Sequence, residues 1–552
     1  MNAPHKIAAL DIPSARVNKT LRFLLSVTFF VLAALLITPS SATAQTWTPL
    51  KNPPPVPDII DPVTSHDFGP GGASFPLLLT DGSVIIQNGG FFGADGKIFK
   101  LTPDINGNYI NGTWTQLATM PYIPTAAAQA VLADGRVIIE GGEFLGMLEA
   151  FLLTNKGAIY DPVTDTWTSV PPPPFFVDLF PPRAVFAPNP IGDASSVVLP
   201  DGTFMIQDKM SRQAALLNLK TLTWTQTGQN TKADLNDEEG WTLLPNGKVL
   251  TIDCYTDFAF GLIPSYPADP TNSEIYDPNT GEWSSAGSTI NTLTDPILFE
   301  TGPAVLRPDG TVFAVGSEGF TSIYDTREKE WSVGPKLPIS PQGYQYTAQD
   351  APGALLPNGN VLFAVSGGPE IPPCSNYSCP PVAFFEFDGH KLIPEPTIQN
   401  PNFFMAGAIN LLPLPTGQVL ATNSGNNSIE IYTPKTAEHK ESWEPIILAA
   451  PSLVEPGKSY KLLGIRLNGM SQASMFGDEG QSATNYPLVR ITNVKTGHVF
   501  YSRTHDHTSM AVASERPSLT HFDVPARQET GLSKLEVVAN GIASDPIWVY
   551  VK

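Results

Sequence analysis

Between Ala73 and Leu420 the chain repeats one pattern: small or apolar residues, a polar Asp-Gly, Asn-Gly or Thr-Gly pair, then a run rich in Val, Ile and Phe. The pair recurs seven times, ending at Gly82, Gly135, Gly202, Gly247, Gly310, Gly359 and Gly417, as in "AVLADGRVII" and "TLLPNGKVLTI". Runs of this length and composition predict strands. The pair between them predicts a two-residue hairpin turn that tolerates positive φ. Successive glycines lie 45 to 67 residues apart, close to one four-stranded unit of a circular array. Seven hairpins therefore predict seven blades of a β-propeller.

A second element follows most hairpins and predicts the outer half of each blade. It places a Tyr and a Trp on either side of a turn, at Tyr160 and Trp167, Tyr276 and Trp283, and Tyr324 and Trp331, with Trp114 and Trp224 ending the first and third units. Large rings at these positions bury area between neighbouring blades. The sixth unit lacks the Trp, and Trp443 after Tyr432 falls outside the spacing. Trp47, in "QTWTPL", stands alone before the first hairpin, and its strand is expected to complete the last blade, because an open ring would expose unpaired edges.

Charged residues make up only 15% of the 552 positions, while Gly (45) and Pro (55) are abundant, as expected of a turn-rich all-β chain. The net charge of −20 argues against nucleic-acid or anionic-membrane partners, which require clustered Lys and Arg. Lys6, Arg16, Lys19 and Arg22 border the apolar run "FLLSVTFFVLAALLI", which precedes Ala42-Thr43-Ala44, so residues 1–44 read as an export signal. The run is short for a membrane-spanning helix, which favours cleavage over a retained anchor. The mature protein is then secreted, periplasmic or on the cell surface, with no membrane span. Cys374 and Cys379 are spaced to close a small bridge in a Pro-rich loop, with Cys254 left over; three free thiols is the alternative.

From about Pro451 short alternating strands such as Pro487 to Asn493 and Lys534 to Val538 predict a β-sandwich of about 100 residues. With this module the chain resembles the secreted galactose oxidase and glyoxal oxidase group. The resemblance implies an all-β protein: a seven-bladed kelch-type β-propeller over residues 45–445, followed by an immunoglobulin-like β-sandwich over 446–552. Its most specific stretch is "GDEGQSATNYPLVRI" followed by "RTHDHTSM", the region that in those enzymes sends a histidine-bearing loop into the propeller. Those enzymes hold copper with two Tyr and two His, one Tyr being cross-linked to a Cys. Here the matching positions, nine or ten residues ahead of the turn glycines, carry Ala126, Asp193 and Gly407-Ala408, and only His507 keeps its place. Copper-radical oxidase activity is therefore not expected.

The same register holds acids in four blades. Asp193, Glu238 and Asp350 each lie nine residues before a turn glycine, and Glu300 lies ten before its own. If the innermost strands line a central channel, these carboxylates converge, raise one another's pKa and call for neutralisation by calcium or another divalent cation, or by Arg503 or His505. His507, added to them, extends the set to a zinc or manganese ligand group. The alternative places the acids at turns or in water, and "THDHTS" in an exposed hairpin. His66 and Asp67 can reach the same mouth or lie in a solvated loop, and Trp241 either stacks a sugar or packs between blades. The expected function is binding of a polar ligand, a saccharide or a cation, at an acidic mouth formed by Asp193, Glu238, Glu300, Asp350, His505 and His507. An enzyme acting on carbohydrates, alcohols or aldehydes is the alternative, and an adhesive surface protein a third reading.

Overall fold

The computed structural model describes residues 46–59, 70–90, 93–142, 153–176, 191–209, 211–228, 231–236, 238–254, 257–259, 263–265, 270–296, 299–368, 379–477 and 479–552. The signal segment, His66, Asp67 and Cys374 lie outside them, as does the side chain of Cys379. Each hairpin repeat opens an antiparallel sheet, four-stranded except at the sixth, where Tyr346–Thr347 and Ser474–Met475 add two short strands. Blade 3 is representative, with Ser196–Val198, Phe204–Gln207, Ala214–Asn218 and Thr223–Thr227 paired in sequence order. Its inner three strands are almost wholly buried, while the last is half exposed.

All seven turn glycines have φ between +75° and +89°. The turn itself differs from the two-residue form expected. Gly82 N donates to Leu79 O and Leu79 N to Ser83 O, and Asp81 keeps an ordinary φ while its carboxylate caps Ser83 N. This is a type I turn closed by a glycine bulge, and it recurs at Gly135, Gly202, Gly247, Gly310, Gly359 and Gly417. A primed turn needs two residues at positive φ. The bulge needs one, which is why Asp, Asn and Thr serve equally before the glycine.

The Tyr and Trp pairs are cross-strand partners, Tyr160 opposite Trp167, Tyr276 opposite Trp283 and Tyr324 opposite Trp331, with ring centroids 5.1 to 5.4 Å apart. The indole N–H groups of Trp167, Trp224 and Trp331 reach back toward the preceding blade. Trp167 donates to Ala118 O at 2.9 Å, Trp224 to Pro171 O at 2.6 Å, and Trp331 to Ser273 Oγ at 2.9 Å. Thr46–Pro49 pairs antiparallel with Glu430–Thr433, setting Trp47 opposite Tyr432 and sending its N–H to Pro396 O of blade 6 at 2.7 Å. The ring is thus closed by the first described strand.

The C-terminal region forms one curled nine-stranded sheet around Leu462, Val489, Ile491, Phe522, Leu535 and Val549. Val499–His505 turns its corner, pairing with Leu488–Asn493 through Ser502 and with Ser518–Asp523 from Arg503 onward. This sheet covers the turn face of the propeller: a Cβ on Gly82 would strike Tyr501, one on Gly135 would strike Thr504 O, and Met510 N donates to Pro200 O at 2.9 Å. Among the described residues no helix is long and apolar enough to cross a membrane.

Replacing Trp167 by Phe keeps the ring but leaves Ala118 O without its donor. Urea unfolding is expected to show a loss of about 1 kcal/mol; an unchanged midpoint would mean that the indole contacts do not fasten blade to blade.

Candidate functional site

The acids sit where the chain enters the innermost strands, at the end opposite the turns. Glu238 (φ +56°) precedes Thr242–Leu243, Asp350 (φ +46°) precedes Gly353–Leu355, and Asp193 and Glu300 each follow a left-handed residue, Gly192 and Phe299. Left-handed backbone costs a non-glycine residue about 1 kcal/mol or more. Phe75 and Ala126, in blades without an acid, share it. The kink therefore belongs to blade entry, and the acids exploit a bend that the fold already requires.

The axis of the ring is filled by a segment of the C-terminal region, the described residues 472–477 and 479–486. Gln472 Oε1 accepts from Leu243 N at 2.7 Å, Ser474–Met475 pairs with Gly353–Leu355, Ser474 Oγ donates to Leu411 O at 2.7 Å, and the Tyr486 hydroxyl donates to Leu78 O. The segment therefore touches the innermost strands of blades 1, 4, 6 and 7. Gly477 makes its apex possible, because a Cβ there would lie 2.8 Å from Thr301 O and 3.1 Å from the Asp350 Cα. Just beyond it, the Glu479 carboxyl hydrogen-bonds Asp193.

Glu238, Glu300 and Asp350 offer carboxylate oxygens that all lie within 4.8 Å of one another. Lys209, at the end of the second strand of blade 3, joins Asp193 to them: its Nζ lies 2.8 Å from Asp193 Oδ2 and 2.7 Å from Glu238 Oε1. Asp193 and Glu238 are only 6% and 8% exposed; Glu300 and Asp350 are more open, yet Glu300 Oε2 and Asp350 Oδ1 are buried without a hydrogen-bond partner. Two charges at this spacing repel by about 3 kcal/mol in a surface-like dielectric. Burial first, and then the charges of Asp350 and Glu238, push the Glu300 carboxyl well up. Burial, with Glu238 and Asp193, brings Asp350 to about 7 against the opposing hydrogen bond to Glu300. Of this hydrogen-bonded pair, Glu300 is the carboxyl pushed more strongly toward its protonated form.

The two histidines stand apart from these acids. His507 N donates to Ala133 O at the blade 2 turn, its ring stacks on Tyr486 and its Nδ1 lies 2.9 Å from Thr520 Oγ1. Burial, followed by the charge of His505, lowers its pKa to about 3. His505 lies between Asp506 and Asp523 on the C-terminal sheet, and Arg503 pairs with Asp523. The axial segment therefore delivers an acid, Glu479, where a histidine was expected, and Lys209 is the cation that meets Asp193 and Glu238. Sequence reasoning missed both residues. The available signals were a lone lysine ending an apolar strand in "FMIQDK" and the acid within "GDEGQ". Trp241 is fully buried, with its ring centroid 5.7 Å from that of Trp283 in the same blade.

A second cluster was also missed. Lys232, fully buried, lies 2.9 Å from Glu239, 2.8 Å from Glu274 and 3.6 Å from Asp253, and also contacts Asp234. Burial alone would depress the Lys232 ammonium, but the four carboxylates hold its pKa well up. Burial raises Glu239 and Asp253, and brings Asp234 to about 8. Cys254 is a buried free thiol whose Sγ meets Glu238 O at 3.1 Å.

The copper site implied by the oxidase resemblance does not fit these residues. Its register positions carry Ala126, Asp193, Gly407 and Ala408, and the donors gathered here are carboxylates, whereas that site needs imidazole and phenolate.

No protein-family model matches the chain. The Kelch-like protein terF of Aspergillus terreus is 35% identical over 130 residues, 22% of this chain and 24% of that protein, so the chain spans about a quarter of the length of the curated relative it matches. Among solved structures, a fungal alcohol oxidase of the AA5 family in complex with copper is similar over 92% of this chain and 100% of its own, with 14% identity and a TM-score of 0.46. Virginiamycin B lyase from Staphylococcus aureus with quinupristin is similar over 71% and 99%, with 10% identity and a TM-score of 0.43. Neither likeness speaks to activity. Its seven hairpin repeats and closed ring make the chain a seven-bladed β-propeller, similar over 130 residues to a kelch-like protein.

Proposed function

We propose that this chain is an exported binding protein that holds a hard divalent cation, calcium first, on Glu238, Glu300 and Asp350, with hydroxyls of a saccharide or similar polar ligand completing the coordination. One observation carries the reading: three carboxylates meet within 4.8 Å while Glu300 Oε2 and Asp350 Oδ1 are buried with no hydrogen-bond partner. An all-oxygen, anionic donor set suits calcium and disfavours softer ions. Lys209 pairs directly with Asp193 and Glu238, while the charge repulsion of Asp350 and Glu238 on Glu300 outweighs the attraction of Lys209. A cation that displaces the Glu300 proton relieves the repulsion. The apolar leader at residues 1–44 supports the extracytoplasmic setting, where calcium is abundant.

A second reading rests on the hydrogen-bonded Glu300–Asp350 pair. A protonated carboxyl beside an ionised one is the arrangement that general acid–base work on a carbohydrate, alcohol or aldehyde requires. Hydrolysis or proton-transfer assays on such substrates, lost on Glu300→Gln, would favour it over binding alone.

Calorimetric titration with calcium is expected to show one bound ion per chain, with affinity reduced at least tenfold in Glu300→Gln; no heat, or an unaltered variant, would overturn the reading. Because the proton and the ion compete for Asp350, affinity is expected to fall by up to tenfold per unit as pH drops below about 7. In the ion-free protein the sign for stability is opposite. Burial and the neighbouring carboxylates push Asp350 up to about 7 in the folded protein, from the ordinary 3.8 that it regains on unfolding. The folded state therefore binds more protons across that window, and stability falls as pH rises through it. Thermal melts of Asp350→Asn should lack this part of the slope.

A further inference from the structure

The C-terminal sheet carries a histidine pair that the acidic site does not use. His505 and His521 are register partners on the antiparallel strands Val499–His505 and Ser518–Asp523, so their rings share one face, stacked with centroids 5.4 Å apart. Asp506, left-handed at φ +51°, turns its carboxylate back toward both: Oδ2 lies 2.8 Å from His505 Nδ1 and 3.9 Å from His521 Nδ1. One ligand atom from each of the three lies within 4.8 Å of the others. We propose that His505, His521 and Asp506 form a binding site for a first-row divalent transition metal, zinc first.

Three observations carry this. The other nitrogen of His505, Nε2, faces Asp523 Oδ1 at 3.1 Å, and Asp523 is in turn held by Arg503 at 3.3 Å. A neutral imidazole donating from Nε2 to that carboxylate turns a bare Nδ1 lone pair toward Asp506 Oδ2. Two lone pairs at 2.8 Å are tolerable only with a positive charge between them, either a proton or a metal ion. A carboxylate behind the distal nitrogen is also the support that metal-bound histidines ordinarily have. Second, His521 Nδ1 is cut off from solvent and has no hydrogen-bond partner, so its lone pair or proton is spent on nothing else. Third, the observed separations of 2.8 and 3.9 Å bracket the value of about 3.4 Å between ligands of a tetrahedral ion with bonds near 2.0 to 2.1 Å. Two imidazoles and one carboxylate select a transition ion over calcium. Asp506 is 59% exposed, which leaves the remaining coordination position open to water or a ligand.

The test uses the whole mature chain, stripped with chelator, titrated with zinc and with cobalt(II) as a coloured probe. One zinc per chain at micromolar affinity is expected, together with a cobalt absorption band. His521→Gln and Asp506→Asn should each weaken zinc at least tenfold and abolish the band. Asp523→Asn, a positioning change, should weaken it by 10- to 100-fold. His498→Gln, which alters another histidine–carboxylate pair (2.7 Å to Glu529), should leave zinc binding as it was. Equal zinc affinity and stoichiometry in wild type and His521→Gln would overturn the proposal, as would no zinc binding at micromolar concentration. Failure of the acidic site would appear separately, in the calcium titration.

Discussion

The four residues Thr46–Pro49 impose the constraint on which the rest depends. By pairing with Glu430–Thr433 they turn seven separate sheets into a ring, and only in a ring do innermost strands from blades 50 or more residues apart point at one another. Glu238, Glu300 and Asp350 come from three blades and share no local contact in sequence. Their meeting within 4.8 Å is a product of closure and of the left-handed kink at each blade entry.

The molecule gathers buried acids twice and treats them differently. Around Lys232 four carboxylates surround an ammonium with no exposure, and Trp283 covers it at 5.3 Å from the ring centroid. The indole N–H of Trp283 has no hydrogen-bond partner, unlike those of Trp167 and Trp224, so here the blade contact relies on the cation instead of a carbonyl. Such a cage is an internal strut: removing its lysine would strand several charges and cost about 3 to 5 kcal/mol. Around Lys209 the cation sits to one side. Asp193 and Glu238 are matched, whereas Glu300 and Asp350 remain partly exposed with oxygens still unpaired. Asp234 Oδ2 and Asp253 Oδ1 of the first cluster also lack hydrogen-bond partners, so the two differ in exposure: the first encloses its ammonium completely, whereas the second is partly open at Glu300 and Asp350.

Much of this architecture was legible in the chain. The turn glycines, the Tyr and Trp pairs and the closing strand at Trp47 are local signals, because turn chemistry and cross-strand pairing act over a few residues. Even there the turn type escaped, since one glycine at positive φ suits a bulge as well as a primed turn. The acid register could be counted from the glycines. What could not be read was who meets whom across the ring. Lys209 and Glu479 reach Asp193 from 16 and 286 positions away, and nothing in their immediate sequence marks the destination. His507 misled because motif resemblance gives an order along the chain, whereas its placement under the blade 2 turn depends on how the C-terminal sheet curls.

The filling of the axis by residues 472–477 and 479–486 bears on how the protein is made. Synthesis runs from the first blade to the last, so the ring's own lining emerges only after every blade is complete. Before that segment arrives, the backbone groups of Leu78, Leu243, Gly353 and Leu411 lack the partners it brings them. The late segment works like a keystone, and assembly is settled by its arrival. A chain interrupted after Thr433 but before Gln472 would contain all its blade strands and still lack the segment that joins them at the centre.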